Sequence, residues 1–376
     1  MVTLSDMLLA WNKAIKHNRN SKEVIEFEKN LEINLMKMTR EINDKTIELA
    51  PSFAFVVSRP KYREVFGTRL KNRILHHLLD LKLRPIYEQV LSDRTFNNRK
   101  GKGLTHAIET FEKDIEDWKT VTDDVWLIHL DLKGYFPNAD VDIAVKQHID
   151  LIDTYYNDKD KEEIKYLVEK CLKADPARNC KLYGKEDWVN IPKEKSLLYK
   201  PIGTGAAIGF LCWQNAMGLY INHVIKWLQS FKFLKVVVFV DDIFISTINK
   251  VKTLKLIPKL RRKLAKVKVR LNENKFYCQH YSKGIMCLGT MLKRNRKYIK
   301  NTNFENIIKR IRQLRKCKPE TQLASMNSYS GMFKDKQQFH RLSKVITKVN
   351  TFLSNLKWSA TRKCFQLIGD YNAYCY

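Results

Sequence analysis

The sequence predicts an α+β fold in which strands ending in carboxylates are set among helices. Three observations lead there. VWLIHLDLKGYF (125–136) is a β-rich apolar run carrying Asp131 at its end. VVVFVDDIFIS (236–246) is a second apolar strand pair, broken in its middle by Asp241 and Asp242. Most of the remaining chain places apolar residues at helical spacing.

In chain order, residues 1–50 alternate apolar and charged positions as amphipathic helices do. FAFVVSRP followed by KYREVF (53–66) reads as a strand or hairpin with basic edges. RLKNRILHHLLDLKLRPIYEQVL (69–91) is helical until Pro85, where a missing N–H predicts an interruption. A Gly/Lys/Asn loop, FNNRKGKGLTH, leads to a helix through about residue 118. After the strand at 125–136 come helices over 141–175, a polar excursion at 176–200 and a Gly/Ala-rich turn. A long helix is expected over 208–230, another over 252–268, and a strand-turn-strand region to about residue 300. The final 76 residues are Lys-rich and read as helical.

Composition narrows the class. With 376 residues, 44% of them hydrophobic, the chain can form two or three packed subdomains around a sizeable core. No apolar run approaches the ~20 residues of a membrane span. The N-terminus reads as an amphipathic helix and not as a signal peptide, so a cytoplasmic protein without a membrane partner is expected. The eight cysteines form no Cys-x-x-Cys pair, which argues against a zinc ribbon or thioredoxin-type site and for free, mostly buried thiols. Lys and Arg number 69 against 40 acidic residues, a net charge of +29 and a pI near 9.7. That excess favours a polyanionic partner through counterion release. A membrane or ribosome surface would also suit the charge, but not the carboxylates.

Asp is depleted inside strands, and burying an unpaired carboxylate is costly. Neighbouring strand residues face opposite sides, so Asp241 and Asp242 fit best at the tip of a hairpin. Alone, this is an ordinary Asp-Asp turn. Asp131, about 110 residues earlier, is a second strand-end carboxylate. Converging strand ends of this kind can hold two Mg²⁺ ions roughly 4 Å apart through hard oxygen ligands.

IHLDLKGYF with FVDD downstream resembles motifs A and C of reverse transcriptases, the family to which the remaining blocks are also similar. The resemblance implies Asp131 and Asp241 as ligands of both ions, Asp242 as a third carboxylate, and the main-chain carbonyl of Leu132 as a further ligand. Phe136 stands where the family places a steric gate against a ribose 2′-hydroxyl. An isolated Phe would read as core.

REVFGTRLKNRILHHLL (63–79) is similar to the finger block of bacterial members, which implies Arg63 and Arg73 as phosphate-bracing guanidiniums. FNNRKGKGLTHA (96–107) resembles the next block and implies nucleic-acid contacts from Arg99, Lys100 and Lys102. PIGTGAAIGFLCWQN (201–215) resembles the Ile-Gly-x-x-x-Ser-Gln block of diversity-generating retroelement enzymes, which implies Gly209 and Gln214 in the nucleotide pocket. Trp213 replaces the serine, and Pro201-Ile202-Gly203 offers a rival register. VRLNENKFYC (269–278) resembles motif D, with Lys275 the implied general acid and an exposed strand-edge lysine the other reading. Leu288 and Gly289 resemble the primer grip, and SYSGMFK (328–334) a thumb motif.

The resemblance runs over roughly residues 50–335. It implies a right-hand polymerase with a helical extension at 1–50, fingers and palm at 51–295, the palm sheet carrying the Asp residues, and a basic helical thumb at 296–376. It implies RNA-directed DNA polymerase activity with dNTPs and two Mg²⁺ ions, Mn²⁺ being a substitute. No RNase H domain or Cys/His-rich endonuclease module is evident, nor are the retron elements. What remains points to enzymes that work with a dedicated non-coding RNA and leave a DNA product, in antiphage defence first and sequence diversification second. An accessory protein or homo-oligomer stays open as a further partner. A non-catalytic RNA-binding scaffold and an RNA-dependent RNA polymerase are the other readings. Three retained carboxylates weigh against the first and Phe136 against the second.

Overall fold

The computed structural model describes residues 1–58, 61–178, 180–294, 296–333 and 336–368. Arg59, Pro60 and Lys334, which belong to segments named above, lie outside them.

Three helices open the chain: α1 (Leu4–Ile15), α2 (Lys22–Glu28) and α3 (Leu31–Asn43). The hairpin β1 (Phe53–Val57) and β2 (Arg63–Gly67) follows, then α4 (Leu70–Val90), β3 (Thr95–Phe96), α5 (Leu104–Lys119) and β4 (Trp126–Asp131). Next come α6 (Val141–Tyr155), α7 (Lys161–Lys173), β5 (Lys181–Leu182), three short 3-10 turns over 185–199, α8 (Leu211–Tyr220) and α9 (Asn222–Gln229). The hairpin β6 (Leu234–Phe239) and β7 (Asp242–Thr247) precedes α10 (Lys250–Ala265). The chain ends in β8 (Tyr277–His280), β9 (Ile285–Cys287), β10 (Thr290–Lys293), β11 (Arg296–Ile299), α11 (Asn301–Leu314), α12 (Pro319–Ser330), α13 (Phe339–Phe352), β12 (Leu356–Ser359) and β13 (Cys364–Leu367).

These elements form two compact units. The first comprises Met1–Ala107, His129–Ile245 and Asn249–Phe276. Its strands β3, β6, β7 and β4 are successive neighbours in one sheet, with β3 parallel to β6. Trp11, Phe66, Phe96, Phe210, Trp213, Tyr220 and Phe244 are its largest fully buried side chains. The N-terminal helices belong to this body. Lys82 of α4 bridges Asp6 of α1 at 2.9 Å and the buried Asp160 at 2.8 Å. A small sheet, ordered β2-β1-β5, stands apart from the Asp-bearing strands.

Two helices depart from the sequence expectation. Helix α4 runs straight through Pro85. Leu83, Ile86 and Tyr87 are buried on either side, and their burial outweighs the ~3 kcal/mol an interior proline costs. The expected helix over 208–230 begins at Leu211 and breaks at Ile221, where the backbone leaves helical geometry. Asn222 holds the break: its side chain accepts from the Ser92 N–H at 2.9 Å and donates to the Val90 carbonyl at 3.1 Å.

The second unit comprises Ile108–Ile128, Ser246–Ile248 and Tyr277–Tyr376. Its sheet β11-β10-β9 is antiparallel. Helices α11–α13 pack around Ile307, Ile311, Met326, Val345, Val349 and Phe365. The tail is not wholly helical: β12 and β13 pair antiparallel from Leu356↔Leu367 to Ser359↔Cys364. Cys171, Cys180, Cys212, Cys278, Cys287 and Cys317 are free thiols as expected, whereas Cys364 is disulfide-bonded. Among the described residues no helix is long and apolar enough to cross a membrane.

Candidate active site

The first unit brings the sequence's three aspartates together. Strand β4 is buried along Leu127, Ile128 and Leu130 and delivers Asp131, itself 5% exposed, at its C-terminal end. Strands β6 and β7 are apolar on both faces, and Asp241 and Asp242 occupy the turn between them and the first residue of β7. The turn carries strain. Val240, a β-branched residue, sits at φ +57° in the left-handed region, a conformation that costs ~1–3 kcal/mol. The backbone then closes the site, because the Leu132 N–H donates to the Asp241 carbonyl at 2.9 Å.

A third segment lies along the same strand. Lys133 N–H donates to the Arg270 carbonyl and Asn272 N–H to the Asp131 carbonyl, both at 2.8 Å. Leu132 and Leu271 form the bridge between these bonds. This pairing carries two side chains to Asp131: Asn272 Nδ2 donates to Oδ2 at 2.8 Å, and Lys275 Nζ to Oδ1 at 2.5 Å. Lys275 therefore stands at the carboxylates, with its own pKa raised by the bond to Asp131.

Asp242 is held separately, its Oδ1 lying 2.6 Å from His129 Nε2. Asp241 has a raised pKa. Burial first, then the charges of Asp242 and Asp131, push its carboxyl up to about 6, against a smaller lowering from Lys275. Among the described residues no three His, Cys, Asp or Glu side chains form a ready-made metal cluster. Asp131 and Asp242 are turned onto protein donors instead. The donor set nevertheless fits a divalent cation. It consists of hard carboxylate oxygens whose mutual repulsion is already felt at Asp241, and the Lys275 ammonium occupies the position of a counter-cation.

The other sequence-derived positions are distributed as follows. Phe136 is half-buried, edge-on to the buried Tyr135 at 5.9 Å, and its carbonyl accepts from Ala206 N–H at 2.8 Å. Tyr135 in turn donates to the Met217 carbonyl at 2.6 Å. Gln214 lines a narrow cleft with Thr95, Phe96, Asn97, Tyr135 and Val240, which places it beside the Asp-bearing turn. Trp213, in place of the family's serine, is fully buried in the core. Gly209 has φ +111° and touches the β1–β2 hairpin so closely that an added Cβ would meet the Phe66 carbonyl oxygen at 2.2 Å. The Phe66 N–H donates to the Ile208 carbonyl at 2.8 Å in the same contact.

Arg63 is exposed at the start of β2, and Arg73 donates to the Thr68 carbonyl at 3.3 Å. The loop over 96–107 departs from expectation. Arg99, only 6% exposed at its side chain, is committed to Glu88 at 2.8 Å and to the Ser92 and Thr95 carbonyls at 2.7 and 3.2 Å. Lys102 donates to the Asp93 carbonyl and lies over the Phe96 ring. Both side chains shape the loop, while Lys100 is exposed. Leu288 and Gly289, at φ +48° and +82°, form the two-residue turn joining β9 to β10 in the second unit.

Sequence reasoning passed over His129 and Asn272. The signal for His129 was its place two residues before Asp131, which puts both on one strand face. Asn272 had no local signal, since only the pairing of 270–272 with 131–133 gives it a partner.

No curated protein matches the chain. The apo telomerase of Candida tropicalis is similar in structure, with a TM-score of 0.50 at 12% identity over 81% of this chain and 58% of that one. A Candida albicans telomerase with a fragment of telomeric RNA gives 0.44 at 11% identity, over 83% and 56%. The chain thus spans little more than half the length of those structures. Residues 57–292 match the family model described as reverse transcriptase (RNA-dependent DNA polymerase). With an α+β polymerase fold and more than half its length within that model, this chain belongs to the reverse transcriptase (RNA-dependent DNA polymerase) family.

Proposed function

We propose that the protein copies an RNA template into DNA from dNTPs at a site built on Asp131, Asp241 and Asp242. The observation that carries this is the backbone bond from Leu132 to Asp241, which joins two strand-end carboxylates that the chain keeps far apart in sequence. Asp131, Asp241 and Asp242, with the Leu132 carbonyl, would hold two Mg²⁺ ions, which supply a lowered pKa at the primer 3′-hydroxyl and charge neutralisation at the triphosphate. Asp241 is deprotonated above a pH of about 6 and so presents an anion at neutral pH. Lys275, which bonds Asp131, would donate a proton to the leaving pyrophosphate, and Asn272 would keep Asp131 oriented. Phe136 sets the sugar preference, and Gln214, beside the Asp-bearing turn, is the proposed contact to the incoming nucleotide.

A dedicated non-coding RNA is the proposed template, supported by the +29 charge. Antiphage defence is the proposed role, supported by Trp213 standing where the diversity-generating block has serine, with diversification, whose block layout the chain resembles, as the other role. A scaffold without catalysis has no use for three carboxylates arranged at this cost. The test is to purify the protein from its native locus and sequence the RNA and DNA strands that accompany it, beside an Asp241→Ala/Asp242→Ala control. One discrete RNA with complementary DNA missing from the control is expected. DNA synthesis that persists in the control overturns the site assignment.

A further inference from the structure

Asp242 is supported differently from Asp131. Where Asp131 meets an amide and an ammonium, Asp242 meets the imidazole of His129, Nε2 to Oδ1 at 2.6 Å. The ring is fixed from its other side. His129 lies flat on Phe244, with centroids 4.4 Å apart and planes 7° from parallel, and Phe244 is 1% exposed. His129 and Asp131 alternate onto one face of β4, as Asp242 and Phe244 do on β7, so one cross-strand patch holds both carboxylates and the clamp. The bland alternative is an aromatic pair that fills the sheet face and happens to touch an acid. A stack alone would not need its edge nitrogen directed at a carboxylate oxygen.

We infer that His129 is a positioning residue for Asp242: its Nε2–H holds Oδ1, fixes the side-chain rotamer and leaves Oδ2 to serve a cation alongside Asp131 and Asp241. This rests on the reading of the three aspartates as the metal site. Carboxylates that bind metals are commonly oriented by a hydrogen-bonded neighbour, and losing such a neighbour typically costs ~10–100-fold in metal affinity or activity.

The test uses the full-length chain with Mn²⁺ as probe, free Mn²⁺ being read by electron paramagnetic resonance. The apparent Mg²⁺ midpoint and plateau rate of primer extension are measured in parallel. His129→Phe keeps a ring on Phe244 and removes the donor. It is expected to raise the Mn²⁺ dissociation constant and the Mg²⁺ midpoint ~10–100-fold while the metal-free melting temperature stays near that of the parent. His129→Gln carries an amide nitrogen near the position of Nε2 and should restore most of the affinity. His129→Asn, whose amide falls short, should not, and it serves if the Phe variant fails to fold. Parental Mn²⁺ binding in both donor-less variants, with binding lost in Asp241→Ala, overturns this inference alone. A Gln variant as weak as the Asn variant overturns it too. Parental binding in Asp241→Ala overturns the reading of the site as well.

Discussion

The main-chain N–H of Leu132 donates to the carbonyl of Asp241 at 2.9 Å, so the residue after one carboxylate is tied to the backbone of the next. The strain of Val240 at φ +57° is held by that closure together with the β6–β7 hairpin. The backbone of Asp241 is therefore held whatever the protonation state of its side chain.

The acidity of Asp241 follows from its burial first, and then from the charges of Asp242 and Asp131. Its carboxyl binds a proton more tightly in the folded state, at about 6 against 3.8. This favours folding below the unfolded value and is lost as pH rises through about 6, a difference of about 3 kcal/mol at most. Asp241→Asn should raise the melting temperature of the metal-free protein by a few degrees at pH 7.5 and leave it nearly unchanged at pH 4. The same variant should lose the stabilisation that added Mg²⁺ gives the parent. Melts across pH with EDTA or Mg²⁺ decide this, and an identical Mg²⁺ response in both proteins would sink it.

Phe136 gives a selectivity prediction. Phe136→Ala should accept ribonucleotides roughly 10- to 100-fold more readily relative to deoxynucleotides, with dNTP incorporation changed far less. Single-nucleotide extension with matched dNTP and NTP pairs measures the ratio. An unchanged ratio would return Phe136 to a packing role beside Tyr135.

Gly209 gives a stability prediction. An alanine there meets the Phe66 carbonyl oxygen at 2.2 Å and must hold φ +111°. Gly209→Ala should cost ~2 kcal/mol or more by urea unfolding and lower activity with it. A neutral alanine would mean that the loop is free to retreat from the β1–β2 hairpin.

Glu64 anchors the 196–199 turn, its Oε1 accepting from Leu197 N–H at 2.8 Å and its Oε2 from the Ser196 hydroxyl. Burial raises its pKa, against the lowering from those two bonds. Its contribution to folding is thus largest at low pH and falls as pH rises through the raised value. Glu64→Gln, which keeps an acceptor without the buried charge, should lose less than Glu64→Ala, where ~1–3 kcal/mol is expected. Denaturation at pH 6 and 8, with limited proteolysis of the 176–200 segment, separates the two. Equal losses would show that the acceptor is irrelevant.

The amino-acid sequence by itself determined the α+β class, the helical N-terminus, both apolar strand systems and the three aspartates at their ends. Those features are written locally: near-continuous apolar, β-rich runs in 125–131 and 236–246, helical periodicity elsewhere, and carboxylates where burial would forbid them without a purpose. Charge was equally legible, because it is a sum.

Only the tertiary structure decided the partners. His129 meets Asp242 across 113 residues and Asn272 meets Asp131 across 141. Neither pair can be read from spacing, because strand register depends on which backbone groups bond across the sheet. The same applies to Arg99, whose isolated sequence suggests a phosphate contact. In the fold, Glu88 and two carbonyls claim its guanidinium. Proline at 85 and the helix break at Ile221 were settled by burial and by Asn222, and the β12–β13 pair by cross-strand bonding of segments too short to announce themselves. Local propensity fixes what an element is. Long-range pairing fixes what its side chains touch, and the chemistry of this site depends on the second.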